Sequence, residues 1–327
     1  MERFEYTSPG NTKEAVNLLD GDWGQTEVLA GGTDLISCMK DRVVTPKRLI
    51  SLKHVSGLRE IRPSGKELRI GAMTTVRELM AESAVRQHYP ALIQSADYIR
   101  SEQLRNMGTV GGELLQRPRC WYFRLGYGLL AEYDGKSLVP DGDNRYHAIL
   151  GNSGPAYFVS PSMMAPILIA MNARVALEGP SGRREIPVEK LYQTPTQSGE
   201  REHTVRPNEI LTEIIVPSQG SARSAVYEVR QKEAMDWPLT AAAVVLRMNG
   251  GRVSHARVVL GHVAPVPWPS PEAEQALEGK SVSEDTADAA GQAAVAKATP
   301  LSMNGYKAHL TRVAVKRAIL QAAQGGA

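Results

Sequence analysis

Leu29-Ala30-Gly31-Gly32-Thr33-Asp34-Leu35 joins an apolar run, Val28-Leu29-Ala30, to a helix-forming stretch, Leu35-Ile36-Ser37-Cys38-Met39. Adjacent glycines at a strand-to-helix junction let the backbone approach a ligand closely. Successive N–H groups there form an anion-binding nest. Taken alone, such a stretch is more often a plain tight turn. A second cluster, Asn106-Met107-Gly108-Thr109-Val110-Gly111-Gly112-Glu113-Leu114, offers the same chemistry: bare backbone donors and a threonine hydroxyl. Two such clusters in the N-terminal half predict a two-sided clamp on a diphosphate. No Gly-x-Gly-x-x-Gly is present, which disfavours a Rossmann site.

Outward from these clusters the chain divides into three predicted segments. In 1–56, Asn11 with Glu14 caps a helix, and Arg48–Leu52 is a strand that completes a βαβ pattern around the first glycine turn. In 57–220, Glu67–Ala72 alternates as a strand, and Thr75 with Glu78 caps the helix that follows. The stretch 117–161 has little periodicity and many Gly, Pro, Tyr and Asp residues, the pattern of a long ordered loop. Met164–Ala173 reads as a helix, and Arg174–Leu177 and Glu209–Val216 as strands. In 221–327, three strands (225–230, 241–248 and 252–263) precede three helices, with Asn249-Gly250-Gly251 as a hairpin turn. Strands followed by helices indicate a separate α+β unit.

Composition narrows the function classes. The 327 residues are 42% hydrophobic and 22% charged, as in a soluble globular protein. A net charge of +3 is too small to imply nucleic-acid binding. The two cysteines, Cys38 and Cys120, exclude a disulfide framework and any all-cysteine iron–sulfur site in this chain. No apolar run approaches the ~18 residues of a membrane span, and MERFEYTSPG lacks the apolar core of a signal peptide. The expected location is cytoplasmic, with the periplasm open through co-export with a partner. The seven histidines show no metal-ligand spacing. The Gly-Lys-Ser triplets at 135–137 and 279–281 lack the upstream glycine of a P-loop.

Three motifs stand in the order found in one family: Ala30-Gly31-Gly32-Thr33-Asp34-Leu35, Ile70-Gly71-Ala72-Met73-Thr74-Thr75 and Arg105-Asn106-Met107-Gly108-Thr109-Val110-Gly111-Gly112. With Glu209-Ile210-Leu211, Val259–Pro265 and Tyr306-Lys307-Ala308-His309-Leu310, the whole chain resembles the FAD-binding medium subunit of molybdenum hydroxylases such as xanthine dehydrogenase. The resemblance implies an α+β fold: a two-part FAD-binding domain of the vanillyl-alcohol-oxidase type, then a C-terminal domain of a three-stranded antiparallel sheet and helices. It implies FAD held by Leu29, Ala30, Gly31, Gly32, Thr33, Asp34, Leu35, Gly108, Thr109, Val110, Gly111, Gly112 and Glu113, with Leu211 nearby and Ile149 and Leu150 beside the flavin ring. It implies electron transfer from [2Fe–2S] clusters in a small partner subunit, with molybdopterin in a large one. Neither nucleic acid nor membrane insertion is expected.

The stretches 115–124 and 144–151 resemble the insertion of the aldehyde-oxidoreductase subgroup, where four cysteines hold a [4Fe–4S] cluster. Here Cys120 alone remains, so no such cluster is expected in this chain. Other departures bear on FAD. Glu113 stands where the family has Asn. Ser160-Pro161-Ser162-Met163 stands where it often has His-Pro-Ser-Asp. A lysine near the ring in some relatives falls at Glu228 or Val229. These departures motivate an alternative, a flavin-free structural subunit of the same kind of complex. A stand-alone flavin oxidase ranks last.

Overall fold

The computed structural model describes residues 1–232 and 236–325. Three short strands, β1 (Glu5–Thr7), β2 (Thr26–Leu29) and β3 (Arg48–Ser51), form a parallel sheet in the order β1-β3-β2. The chain leaves β2, turns through 30–34, forms the helix Leu35–Lys40 and returns along β3, as the βαβ pattern predicts. Ala15, Val16, Ile50 and Leu52 of this unit share one apolar cluster with Leu58, Met73 and Ile210 from the next. That cluster fixes the first glycine loop against the second unit.

The second unit is a five-stranded antiparallel sheet. Its strands are β4 (Ile61–Ser64), β5 (Glu67–Gly71), β6 (Arg174–Gly179), β7 (Gly182–Pro187) and β8 (Ile210–Pro217), in the order β4-β5-β8-β6-β7. β8 is central and buried from Ile210 to Val216. Its one acidic residue with paired charge at the sheet face, Glu213, takes Arg69 and Arg183 at 2.8 Å each. The helix after β5 starts where its capping box places it: Glu78 N–H donates to Thr75 Oγ1 at 3.2 Å, and Thr75 N–H to Glu78 Oε2 at 2.9 Å. The predicted helix Met164–Ala173 is shorter, Ala165–Ala170, because Asn172 adopts φ +56° and turns the chain into β6.

The third unit is an antiparallel sheet of β9 (Arg223–Val229), β10 (Thr240–Asn249), β11 (Arg252–Gly261) and β12 (Trp268–Pro269). Gly250 and Gly251, at φ +54° and +78°, make the tight turn between β10 and β11. The fourth strand, two residues long, lies in the proline-rich stretch that periodicity could not resolve. Three helices, Pro271–Leu277, Glu284–Ala294 and Tyr306–Ala323, share a second core with this sheet.

The stretch 117–161 is irregular apart from the short helix Trp121–Arg124 and a two-residue hairpin. It is pinned from the C-terminal side by Lys307, whose side chain is buried. Its Nζ donates to the carbonyls of Tyr146 (3.1 Å), His147 (3.0 Å) and His262 (2.7 Å). Burial pushes this ammonium down to about 7, and the three carbonyls offset that desolvation. Lys307→Met fills the space but leaves the carbonyls of Tyr146 and His262 without this donor, while His147 O keeps Asn304 Nδ2 at 3.2 Å. It should cost about 2–4 kcal/mol in a denaturant titration, and an unchanged midpoint would show the clasp to be dispensable.

Candidate functional site

The two glycine loops meet backbone to backbone. Residues 72–76, directly after β5, hold the second loop: Gly111 N–H donates to Ala72 O (2.9 Å), Val110 N–H to Thr74 O (2.8 Å) and Val76 N–H to Gly108 O (3.0 Å). This explains the motif Ile70–Thr75, which contributes few residues to the cleft and serves mainly as a bracket. The first loop lies against that bracketed loop so closely that a Cβ on Gly31 would fall 1.8 Å from Met107 O. A Cβ on Gly111 would fall 2.8 Å from that of Ala72. Gly32, at φ +75°, reverses the chain between them.

The turn leaves its donors free. Among the described residues, the amides of Gly31, Gly32, Thr33, Asp34 and Leu35 donate to no protein acceptor, and all five residues line one cleft. Thr109 caps the short helix Val110–Leu114 by accepting from Gly112 N–H at 3.1 Å, so its hydroxyl proton is left to donate. A row of unpaired N–H groups facing open space is an anion cradle. The residues present therefore fit a diphosphate.

The cleft has two lobes that share Thr33, Asp34, Thr109, Gly112 and Gln116 as a waist. The first lobe is apolar, with Val28, Leu52, Ile210 and Leu211, and is edged by Trp23 under the Arg201 guanidinium at 4.2 Å. The second is lined by Tyr98, Arg100, Arg119, Met163, Arg230 and Trp237. A molecule with a diphosphate between two flat ring systems matches this outline.

Glu113 does not aim its charge at the waist. Its carboxylate accepts from Ser162 Oγ (2.8 Å), Met163 N–H (2.6 Å), Met164 N–H (3.3 Å) and Gln116 Nε2 (3.2 Å). Burial pushes it up to about 7 against the pull of those four donors. Met163 thus gives its backbone to Glu113 and its side chain to the second lobe. The Glu228 side chain is buried on β9 and paired with Arg230, which lines the second lobe beside Arg100 and Arg119.

The sequence-predicted residues are largely brought together. Ala30 to Leu35, Thr109, Gly111, Gly112 and Leu211 line the first lobe, and Gly108 and Glu113 join the second. Leu29 ends β2, and Val110 is a fully buried core residue beneath the loop. Ile149 and Leu150 are placed elsewhere: both amides donate to Val263 O (2.9 and 3.0 Å), and both side chains sit in the C-terminal core, lining neither lobe. Sequence reasoning missed Gln116, Arg119, Arg230 and Trp237. The arginine-rich run 117–124 opposite the lone Asp34 was the available signal.

Residues 2–219 match the family described as "FAD binding domain in molybdopterin dehydrogenase", and residues 225–322 match "CO dehydrogenase flavoprotein C-terminal domain". The chain is 31% identical to the carbon monoxide dehydrogenase medium chain of Hydrogenophaga pseudoflava, over 97% of this chain and 96% of the relative. It is 30% identical to the aldehyde oxidoreductase FAD-binding subunit PaoB of Escherichia coli, over 95% and 96%. A solved structure of the Hydrogenophaga pseudoflava carbon monoxide dehydrogenase, which lacks the Mo-pyranopterin moiety, superposes with a TM-score of 0.78, covering 100% of this chain and 99% of that one.

Two outcomes follow from this geometry. Gly31→Ala should cost about 3 kcal/mol, because its new methyl meets backbone that cannot move aside, and should abolish retention of FAD. Gly154→Ala, with nothing within 4 Å of the added methyl, serves as a neutral control. A Gly31→Ala protein with full flavin content would refute the close-approach argument. Glu113, raised from 4.5 to about 7, holds its proton more tightly folded than unfolded. Its stabilising contribution is complete below about pH 4.5 and is lost as pH rises through about 7. Glu113→Gln should remove that decline, read as the difference between the two proteins' unfolding free energies across the window. Parallel curves would count against it.

Proposed function

The chain belongs to the family of FAD-binding medium subunits of molybdenum hydroxylases, the carbon monoxide dehydrogenase and xanthine dehydrogenase type, and from that premise we propose that it passes electrons from [2Fe–2S] clusters of a small partner subunit to an external acceptor. Substrate oxidation belongs, on this reading, to a large molybdopterin-binding partner. The observation that carries it is the row of five free amides, Gly31 to Leu35, at the waist of a two-lobed cleft.

FAD, when bound, supplies an electron carrier able to link one-electron clusters to two-electron acceptors. This chain's residues hold and orient it. The amides of Gly31 to Leu35 and the hydroxyls of Thr33 and Thr109 are the donors for the diphosphate. The apolar first lobe suits the adenine end. The second lobe, with Tyr98, Met163 and Arg230, suits the flavin ring.

One departure that motivated a flavin-free scaffold, Glu113, loses its force on this geometry. Glu113 is turned onto the 162–164 backbone, and Asp34 is held by arginines. Neither carboxylate is free to repel a diphosphate.

The test is the complex purified with its natural partners. One FAD per chain is expected on flavin release. A subcomplex without this chain should still reduce one-electron dyes but should lose transfer to the physiological acceptor. A complex with molybdopterin and [2Fe–2S] but no flavin would sink the proposal and leave the scaffold reading.

A further inference from the structure

Asp34 is the one acidic side chain of the first glycine loop, and it turns onto the stretch 117–124. Its Oδ2 accepts from Arg117 N–H at 2.7 Å. Its Oδ1 takes both Arg124 Nη2 at 2.8 Å and Arg119 Nη1 at 3.1 Å. One carboxylate therefore serves two guanidinium groups. Arg124 is fully committed: it also donates to Pro118 O (2.8 Å), Arg117 O (3.0 Å) and Cys38 Sγ (2.7 Å).

Arg119 is not committed in this way. Beyond Asp34, its one polar partner among the described residues is Gln116 Oε1 at 3.2 Å. Its Nε is buried with no partner among the described residues. Its guanidinium lies over the Trp237 ring, 4.4 Å from the centroid, a contact that holds a cation without neutralising it. The other carboxylates lining this lobe form their hydrogen bonds elsewhere. Asp236 Oδ1 accepts from Trp237 N–H at 2.9 Å, and Glu113 is bonded to the 162–164 backbone. Burial also disfavours the charge on Arg119, an effect that Asp34 only partly offsets. Arg119 thus shares its one carboxylate partner with Arg124 and keeps an unused donor, beside Gly108, Thr109 and Gly112 at the edge of the waist.

We propose that Arg119, carried by the inserted loop and held ready by Asp34 and Trp237, is an anchoring residue for the FAD diphosphate. This rests on the FAD reading of the cleft. It gives the loop a role in cofactor binding without any cluster of its own. A guanidinium suits the task because it stays charged when desolvated and presents several donors in one plane.

The test is binding to the full chain stripped of flavin. FAD and riboflavin would be followed by fluorescence, and ADP by calorimetry. Arg119→Gln should weaken FAD and ADP alike, about 10- to 100-fold, and leave riboflavin unchanged. Arg119→Lys keeps the charge but loses the planar fork. It should weaken FAD and ADP a few-fold, again sparing riboflavin, and it carries the test if Arg119→Gln fails to fold. Undiminished FAD and ADP binding in both variants would overturn the proposal. So would an equal loss for riboflavin, which would assign Arg119 to the ring. A wild-type chain that binds neither FAD nor ADP would instead overturn the FAD reading itself.

Discussion

The contact between the backbones of Gly31 and Met107 is the constraint on which the site depends. Two segments far apart in the chain approach until no side chain fits between them, and a single methyl on Gly31 would stand 1.8 Å from a carbonyl oxygen. Interiors packed at crystal-like density have little room to absorb such an intrusion. The rest of the N-terminal architecture serves this approach. The parallel sheet β1–β3 delivers the first loop, the Ala72–Thr75 backbone brackets the second, and the apolar cluster of Ile50, Met73 and Ile210 locks the two units together.

Close backbone approach has an electrostatic consequence. Loops that present bare N–H groups attract anions, and any carboxylate on the same loops competes with the ligand. This chain carries two, Asp34 and Glu113, and disposes of them differently. Asp34 is pulled outward by Arg119, Arg124 and the amide of Arg117. Glu113 is turned inward to four donors on the 162–164 stretch and Gln116. Each carboxylate gains a structural task, joining a glycine loop to a distant segment, and neither takes up the amides of Gly31 to Leu35.

The stretch 117–161 joins the units together. Asp34 holds its start to the first unit, and Lys307 holds its end to the third. Between them Trp121, Tyr122, Tyr146 and His147 pack ring against ring, with centroids 5.5 to 6.2 Å apart. Local periodicity plays little part in this order. It comes from polar groups with partners on other units, such as Arg124 on Asp34, Asn144 on Ser302 and Asn152 on Thr299, which is why the stretch is ordered although it holds almost no regular structure.

Local chemistry made much of the molecule legible in the sequence. The capping box at Thr75 and Glu78, the Asn249-Gly250-Gly251 turn and the strand–glycine–helix junction at 28–39 are short-range patterns whose energetics involve neighbours only. The two glycine clusters likewise marked the two loops that meet backbone to backbone. Other features had no local signature. The fourth strand of the C-terminal sheet pairs Leu260 with Trp268 only because β11 is already in place. Ile149 and Leu150 lie in the C-terminal core and away from the cleft, drawn there by Val263 O. The direction of the Glu113 carboxylate was decided by Ser162, Met163 and Met164, and the position of the Arg119 guanidinium by Asp34 and Trp237. By itself the sequence determined most of the elements and the family. Tertiary structure decided which charges face the cleft, because a side chain's direction depends on partners that only the folded chain brings within hydrogen-bond reach.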